Sequence, residues 1–232
     1  MLQIAPEAIS SEITFVTGIT EPVFDVTLSA AVPGIITARK FKEGEFVKEG
    51  DVIVELDKRL EELEVERRKV VLEARRTDFE GTARLFQTTK GTSKDEMEKK
   101  ESDYKLAVVE HAMALEQLRR RVVTAPISGI VMEFPLDIGE SCQPYQPLAR
   151  LVDTRRCYFV GNVEAQAAAT LHTNKEVRLE IDTGATPEPV TGIITFVSPV
   201  ADPASSLIGV KAIFPNPEGK IRPGVAGRLH LK

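Results

Sequence analysis

Tryptophan is absent from this chain of 232 residues, and cysteine, histidine and methionine number only 2, 3 and 4. The two cysteines, Cys142 and Cys157, stand 15 residues apart and are too few for a disulfide framework. They are either a single pair formed in an oxidising compartment or two small buried hydrophobes. The histidines at positions 111, 172 and 230 are scattered, with no metal-ligand spacing. No apolar run approaches the roughly 18 residues that a membrane helix needs. The opening Met1-Leu2-Gln3-Ile4-Ala5-Pro6 lacks both the basic start and the apolar stretch of an export signal. A net charge of −5 provides no basic face for nucleic acid. Nor does any nucleophile–base pair, paired-carboxylate motif or phosphate-binding glycine loop stand out, so catalysis is the weakest reading and no cofactor is expected.

What the sequence does contain is an internal repeat. Residues 29–56 align without a gap on residues 124–151, at a constant offset of 95. The alignment pairs Ala30 with Ala125, Gly34 with Gly129, Ile35 with Ile130, Gly44-Glu45 with Gly139-Glu140 and Leu56 with Leu151. Glycines repeated at turn positions carry physical meaning, because only glycine takes positive φ cheaply. Between them, stretches such as Gly34–Ala38 and Asp51–Leu56 have the character of short strands bounded by turns.

Two such half-motifs resemble the lipoyl or biotinyl carrier domain, a flattened barrel of two similar halves. Glu55-Leu56-Asp57-Lys58 matches the run that holds the acceptor lysine in lipoate carriers, which puts Lys58 at the modified position. A carrier, however, begins its second half within about ten residues of that lysine. Here some 65 residues intervene, free of proline from Lys58 to Arg121 and dense in good helix formers. Residues 88–95 are the one turn-like stretch, and Ser93 with Glu96 forms a capping box for a second helix. Asp57 suits the N-cap of the first helix.

In the first arm Val65, Leu72, Phe79 and Phe86 recur every seven residues, preceded by Leu60 and Leu63. In the second, Met97, Glu101, Tyr104, Val108, His111, Leu115 and Leu118 alternate steps of four and three. Two antiparallel helices zipped along these seams, about 30 residues each, project roughly 45 Å. Lys58 then lies in the first helical turn, expected unmodified, and His111 is a seam residue with no metal to bind. Charge runs such as Glu61-Glu62 and Arg119-Arg120-Arg121 are expected to be solvated helix faces.

A lipoyl domain split by a helical hairpin resembles the periplasmic adaptor, or membrane fusion protein, family of efflux and secretion systems. The rest of the chain fits that resemblance. Strands are expected at Ile13–Gly18 and near Val23–Leu28, at Cys157–Glu164, 176–181, 190–198, 207–214 and 227–231, with a short helix near 165–171, as a small closed barrel requires. The loop Pro199–Ser206 and the turn Asn216-Pro217…Arg222-Pro223-Gly224 match family motifs. The expected fold is mainly β with an inserted antiparallel helical hairpin: a split lipoyl, or barrel-sandwich hybrid, domain plus a small β-barrel domain. The expected segments are 1–25 (strand joining the barrel), 26–57 (first lipoyl half), 58–121 (hairpin), 122–153 (second half) and 154–232 (barrel).

The resemblance implies a subunit that bridges an inner-membrane transporter, RND-type in preference to ABC, and an outer-membrane channel. It also implies a homo-oligomer, a hexamer in the assembled pump, located in the periplasm and tethered by an N-terminal anchor that this chain lacks. Relatives that dock on such channels carry Arg, Leu and Ser at the hairpin tip. Ser93 fits the Ser, Phe86 takes the Leu position and Thr82 the Arg position, while Arg84-Leu85 lie nearby but out of register. Ser93 is equally a helix cap. Asp153, Arg155 and Arg156, at the lipoyl–barrel junction, are either a hinge or a surface ion-pair cluster. Little sequence remains for the membrane-proximal domain of many relatives, which is therefore expected to be absent or removed. A lipoyl-type carrier and a free-standing coiled-coil interaction protein are the competing readings.

Overall fold

The computed structural model describes residues 15–88, 91–184 and 186–231. It divides into two compact units, one of residues 26–151 and one of residues 1–25 with 152–232. The strand expected at Ile13–Gly18 begins partly outside the described residues.

In the unit of residues 26–151, the repeat is realised as interlocked backbone. Its strands include β2 (Gly34–Arg39), β3 (Phe46–Val47), β4 (Val52–Leu56), β5 (Val122–Thr124), β6 (Gly129–Glu133) and β7 (Ser141–Cys142). Each half pairs with the other: β3 lies antiparallel to β6, and β2 to β7. Gly44 N–H donates to Val131 O at 2.8 Å and Val131 N–H to Glu45 O at 3.0 Å. The equivalent bonds, 95 residues on, run from Gly139 N–H to Ile36 O and from Ile36 N–H to Glu140 O. Even the turn side chains agree, with Glu45 accepting from Lys42 N–H and Glu140 from Asp137 N–H, both at 2.8 Å. Gly44 and Gly139 have φ of 85° and 94°, which is why glycine recurs there. The core is built from repeat-related pairs: Ile36 with Val131, Val47 with Cys142, Ile53 with Leu148, Leu56 with Leu151, all buried. Cys142 thus fills the place that Val47 fills in the other half, a small apolar side chain. It and Cys157 are both free and buried.

Between the halves stand α1 (Arg59–Thr88) and α2 (Lys94–Arg119), which pack on each other as an antiparallel pair. They belong to the same compact unit as the two halves.

In the other unit, β1 (Phe15–Ser29) enters and β8 (Pro147–Val163) follows from the lipoyl half; each strand is shared by the two units. With β9 (Glu176–Ile181), β10 (Glu188–Val197), β11 (Ile208–Pro215) and β12 (Ala226–His230) they run in the order β1-β12-β9-β10-β11-β8, and β1 also pairs with β8. The ring therefore closes, which removes the exposed edges. The closure depends on glycine: a Cβ at Gly18 would lie 2.3 Å from Val160 O, and at Gly161 3.2 Å from Thr17 O. Both glycines, with Gly227, also leave room for the fully buried ring of Phe159. The single helical turn α3 (Ala165–Ala168) buries Ala168 against the barrel core.

Two strand breaks inferred from sequence are absent. The gap expected between the strands at Ile13–Gly18 and Val23–Leu28 is continuous strand in β1. Similarly, the strand expected to start at Cys157 is the second half of the 17-residue β8. The helix expected over 165–171 is only 4 residues long.

Candidate functional site

At the hairpin base, β4 leads straight into α1, and Lys58 carries the first helical carbonyl, accepting from Glu62 N–H at 2.9 Å. Lys58, not Asp57, therefore stands immediately before the helix, while the Asp57 carboxylate accepts from Arg59 N–H at 3.3 Å. The Lys58 ammonium lies 3.3 Å from Glu55 and 3.9 Å from Glu62, and Lys40 reaches Glu55 at 3.2 Å. Hydrogen bonding from Lys40, reinforced by Lys58, holds the Glu55 carboxyl below its ordinary range against the opposing effect of desolvation. A lysine tied into this cluster at the root of a helix differs from one displayed on a hairpin tip.

Two of the charges expected to be solvated are a clasp instead. Arg121 donates through one nitrogen to Glu61 across the hairpin base and through another to Pro33 O at 2.8 Å. The paired side chains are only 22% and 18% exposed. Glu61 lies seven residues before Arg68, and this is the spacing that flags it as a seam position.

Along the hairpin, Val65, Leu72, Phe79 and Phe86 are partly buried, as the seven-residue spacing requires, but Leu60 and Leu63 are 78% and 59% exposed. On α2 the seam runs through Met97, Lys100, Tyr104, Ala107, His111, Ala114 and Leu118. This corrects the sequence-based register at three places. Ala107 and Ala114 are each 4% exposed, whereas Val108 and Leu115 are 40% and 45% exposed; Glu101 gives way to Lys100. The physical reason is size: alanine lets the helices approach under the large side chains of α1. Phe79 stacks on Tyr104 at 5.9 Å with rings 7° apart. Arg68 pairs across the hairpin with Glu110, and Lys100 with Asp78 at 3.3 Å.

Near the tip, Ser93 caps α2, its Oγ accepting from Glu96 N–H at 3.1 Å. Thr92 Oγ1 donates to the Glu96 carboxylate at 2.9 Å. Thr82 and Phe86, the residues that register places opposite the family's Arg and Leu, are both partly buried. Arg84 and Leu85 are exposed, with Leu85 at 54%. They line a shallow groove with Thr77, Glu80, Gly81 and Thr88. The exposed Arg–Leu pair at this end is thus the one that lies out of register.

In the barrel unit, Asp153 is buried and receives three bonds from Arg155, from N–H at 3.0 Å, Nε at 2.9 Å and a terminal nitrogen at 2.8 Å. Hydrogen bonding from Arg155 depresses the Asp153 carboxyl. Buried Asn216 donates to Thr154 O and Ile221 O and accepts from Ile221 N–H, at 2.9, 2.8 and 3.1 Å. That accounts for the Asn-Pro…Arg-Pro-Gly pattern as a tied turn. Burial pushes the neighbouring Cys157 thiol up to about 11. Among the described residues no cluster of metal-ligating side chains occurs, and no helix is long and apolar enough to cross a membrane.

These features define a class: a two-half lipoyl-type unit interrupted by a helical hairpin and continued by a small closed barrel. Residues 25–154 match the model of the barrel-sandwich hybrid domain of RND membrane fusion proteins. The chain belongs to that family. It is 28% identical over 223 residues to the solvent efflux pump periplasmic linker SrpA of Pseudomonas putida, covering 87% of this chain and 56% of that protein. With the multidrug resistance protein MdtE of Escherichia coli K12 the identity is 24% over 234 residues, covering 90% and 61%. The chain thus spans little more than half the length of these curated relatives. In fold it is similar to a MacA–MexA chimera containing the Pseudomonas aeruginosa MexA α-hairpin domain, with 20% identity, a TM-score of 0.81, and coverage of 94% and 78%.

Proposed function

We propose that this chain is the periplasmic adaptor of a multipartite efflux pump, joining an RND-type inner-membrane transporter to an outer-membrane channel for export of small organic molecules. It forms no covalent bond with its cargo. The observation that carries this reading is the paired helical rod of α1 and α2 inserted where a carrier domain has its modified lysine, with Lys58 engaged in ion pairs at the rod's root. Copies assemble around a conduit, six in the complete pump, tethered to the inner membrane by an N-terminal anchor. The rod of α1 and α2 points to the channel. Arg84 and Leu85, exposed near the tip, and Ser93 at the start of α2 are the channel contacts. Phe86, on the partly buried seam, supports them.

The test is export from cells lacking the gene, measured as retention of a fluorescent small organic dye. The wild-type chain restores efflux, and a chain carrying Arg84→Glu with Leu85→Ser folds with unchanged thermal stability but leaves the dye inside. Full efflux by that double variant overturns the tip assignment. Intact mass showing a lipoyl or biotinyl group on Lys58 overturns the adaptor reading itself.

A further inference from the structure

Gly81 is the only glycine in either arm of the hairpin, and it stands inside α1, seven residues before the end of that helix at Thr88. A glycine in an exposed helix interior costs about 1 kcal/mol against alanine. Elsewhere in the fold glycine answers a need of the chain itself. Gly18 and Gly161 make room for a crossing strand, and Gly44 and Gly139 take positive φ. Gly81 does neither: a Cβ placed on it would meet nothing within 4 Å, and its φ is not positive.

The space over Gly81 is bounded. Thr77, Glu80, Arg84, Leu85 and Thr88 line it with the glycine as one groove along a side of α1. Glu80 is engaged by Arg76 at 2.8 Å, whereas the exposed Arg84 guanidinium has no ion-pair partner among the described residues. The openness is confined to the end of the arm. On the same side, about three and five turns towards the base, stand Val70 and Leu63, 62% and 59% exposed. A segment laid against Leu63 and Val70 is held off by their side chains; against Gly81 it reaches the helix backbone itself.

We infer that Gly81 is a seat kept open for a segment of the outer-membrane channel, which lays its backbone in the groove and presents a carboxylate to Arg84. Such a seat rests on the channel contact proposed above for Arg84 and Leu85 and extends it to the helix backbone. A second copy lying alongside would meet the whole length of the arm, where Leu63 and Val70 keep backbones apart. A partner met end-on needs close approach only where the glycine stands. An exposed guanidinium without an internal carboxylate selects an acidic group on that partner. Helix stability is thus given up for a contact outside the chain, as is common at functional sites.

The test uses Gly81→Ala and Gly81→Leu in the full chain. Both side chains favour helix more than glycine does, so both purified variants should melt at the wild-type temperature or above it. In cells lacking the gene, dye retention should rise from wild type through Gly81→Ala to Gly81→Leu, the last approaching cells without the gene, because overfilling a close contact breaks it. Variants that melt lower than wild type give the glycine a structural role and overturn the inference, as does Gly81→Leu exporting as well as wild type. The occupant is identified with p-benzoylphenylalanine at Thr77, exposed in the same groove, by irradiation and mass spectrometry of the joined peptides. The expected adduct is with an outer-membrane channel and disappears when Gly81→Leu is added. An adduct only with a second copy, or none, overturns the inference. A wild-type chain that restores no efflux overturns the adaptor reading as well, whereas normal export by Gly81→Leu leaves that reading standing.

Discussion

Arg121, just beyond the last turn of α2, meets Glu61 in the first turn of α1 and at the same time donates to the carbonyl of Pro33 at 2.8 Å. One guanidinium thus joins both arms of the hairpin to the first lipoyl half. Its backbone adds a further tie, since Arg121 O accepts from Leu56 N–H at 2.8 Å. A planar fork with several donors can serve two acceptors at once, and a lysine ammonium on a flexible stem does so poorly.

Arg121→Ala is therefore expected to lower unfolding free energy by about 1–3 kcal/mol, the range for losing charge-assisted bonds and leaving a partly buried carboxylate unpaired. Arg121→Lys should recover less than half of that. Urea unfolding of the two variants checks it, and equal stability of Arg121→Ala and wild type would show the clasp to be ornamental.

The two possible seams of α2 make opposite predictions. Ala114 is 4% exposed and Leu115 45% exposed, so enlarging the first should overpack the helix pair and truncating the second should do little. Ala114→Leu is expected to cost about 1–3 kcal/mol, and Leu115→Ala to stay within about 0.5 kcal/mol. Thermal unfolding followed at 222 nm distinguishes them; a reversed order would restore the seam through Val108 and Leu115.

That register shows where sequence reading stops. The repeat was legible because its glycines recur at turns that only glycine makes cheaply, and the same bonds occur on both sides of the pseudo-symmetry. The hairpin was legible because 65 proline-free residues cannot fit the tight turn of a carrier. Seam phase was not, since periodicity weights large apolar residues, and the interface instead selected Ala107 and Ala114 for their smallness. Glu61 and Arg121 looked like surface charges because their partnership spans 60 residues. At the tip, counting from Ser93 selected Thr82 and Phe86, but helical phase turns Arg84 and Leu85 outward.

Asn216 holds the barrel turn through three bonds from a buried amide. Asn216→Ala removes the donor and acceptor together, taking a bond from the Ile221 carbonyl and N–H and leaving the Thr154 carbonyl only the weak Cys157 thiol, a loss of about 2–4 kcal/mol. The same variant should make Cys157 accessible: its thiol, raised to about 11 by burial, is expected to resist alkylation at pH 8 in the native wild type. Mass spectrometry after iodoacetamide treatment reads this out, and rapid labelling of wild-type Cys157 would contradict the packing described here.

Asp153 gives the barrel unit a pH dependence whose sign follows from its pairing. Bonds from Arg155 hold the native carboxyl below its ordinary value, whereas in the unfolded chain it titrates at about 3.9. A group depressed on folding contributes stability that is complete above the unfolded value and disappears as pH falls through the native one. The contribution should therefore be constant from about pH 5 upward and shrink below about pH 4. Asp153→Asn removes the charge at every pH. The stability gap between wild type and this variant, about 1–2 kcal/mol near pH 7 for a charge-assisted bond with one solvent-facing partner, should accordingly narrow on acidification. Urea titrations of both proteins at pH 7, 5 and 3.5 measure the gap directly, with the other carboxylates common to both and cancelling in the difference. A gap that stays the same at pH 3.5 would mean that Arg155 does not stabilise the charged form, and that Asp153 acts only through its neutral hydrogen bonds.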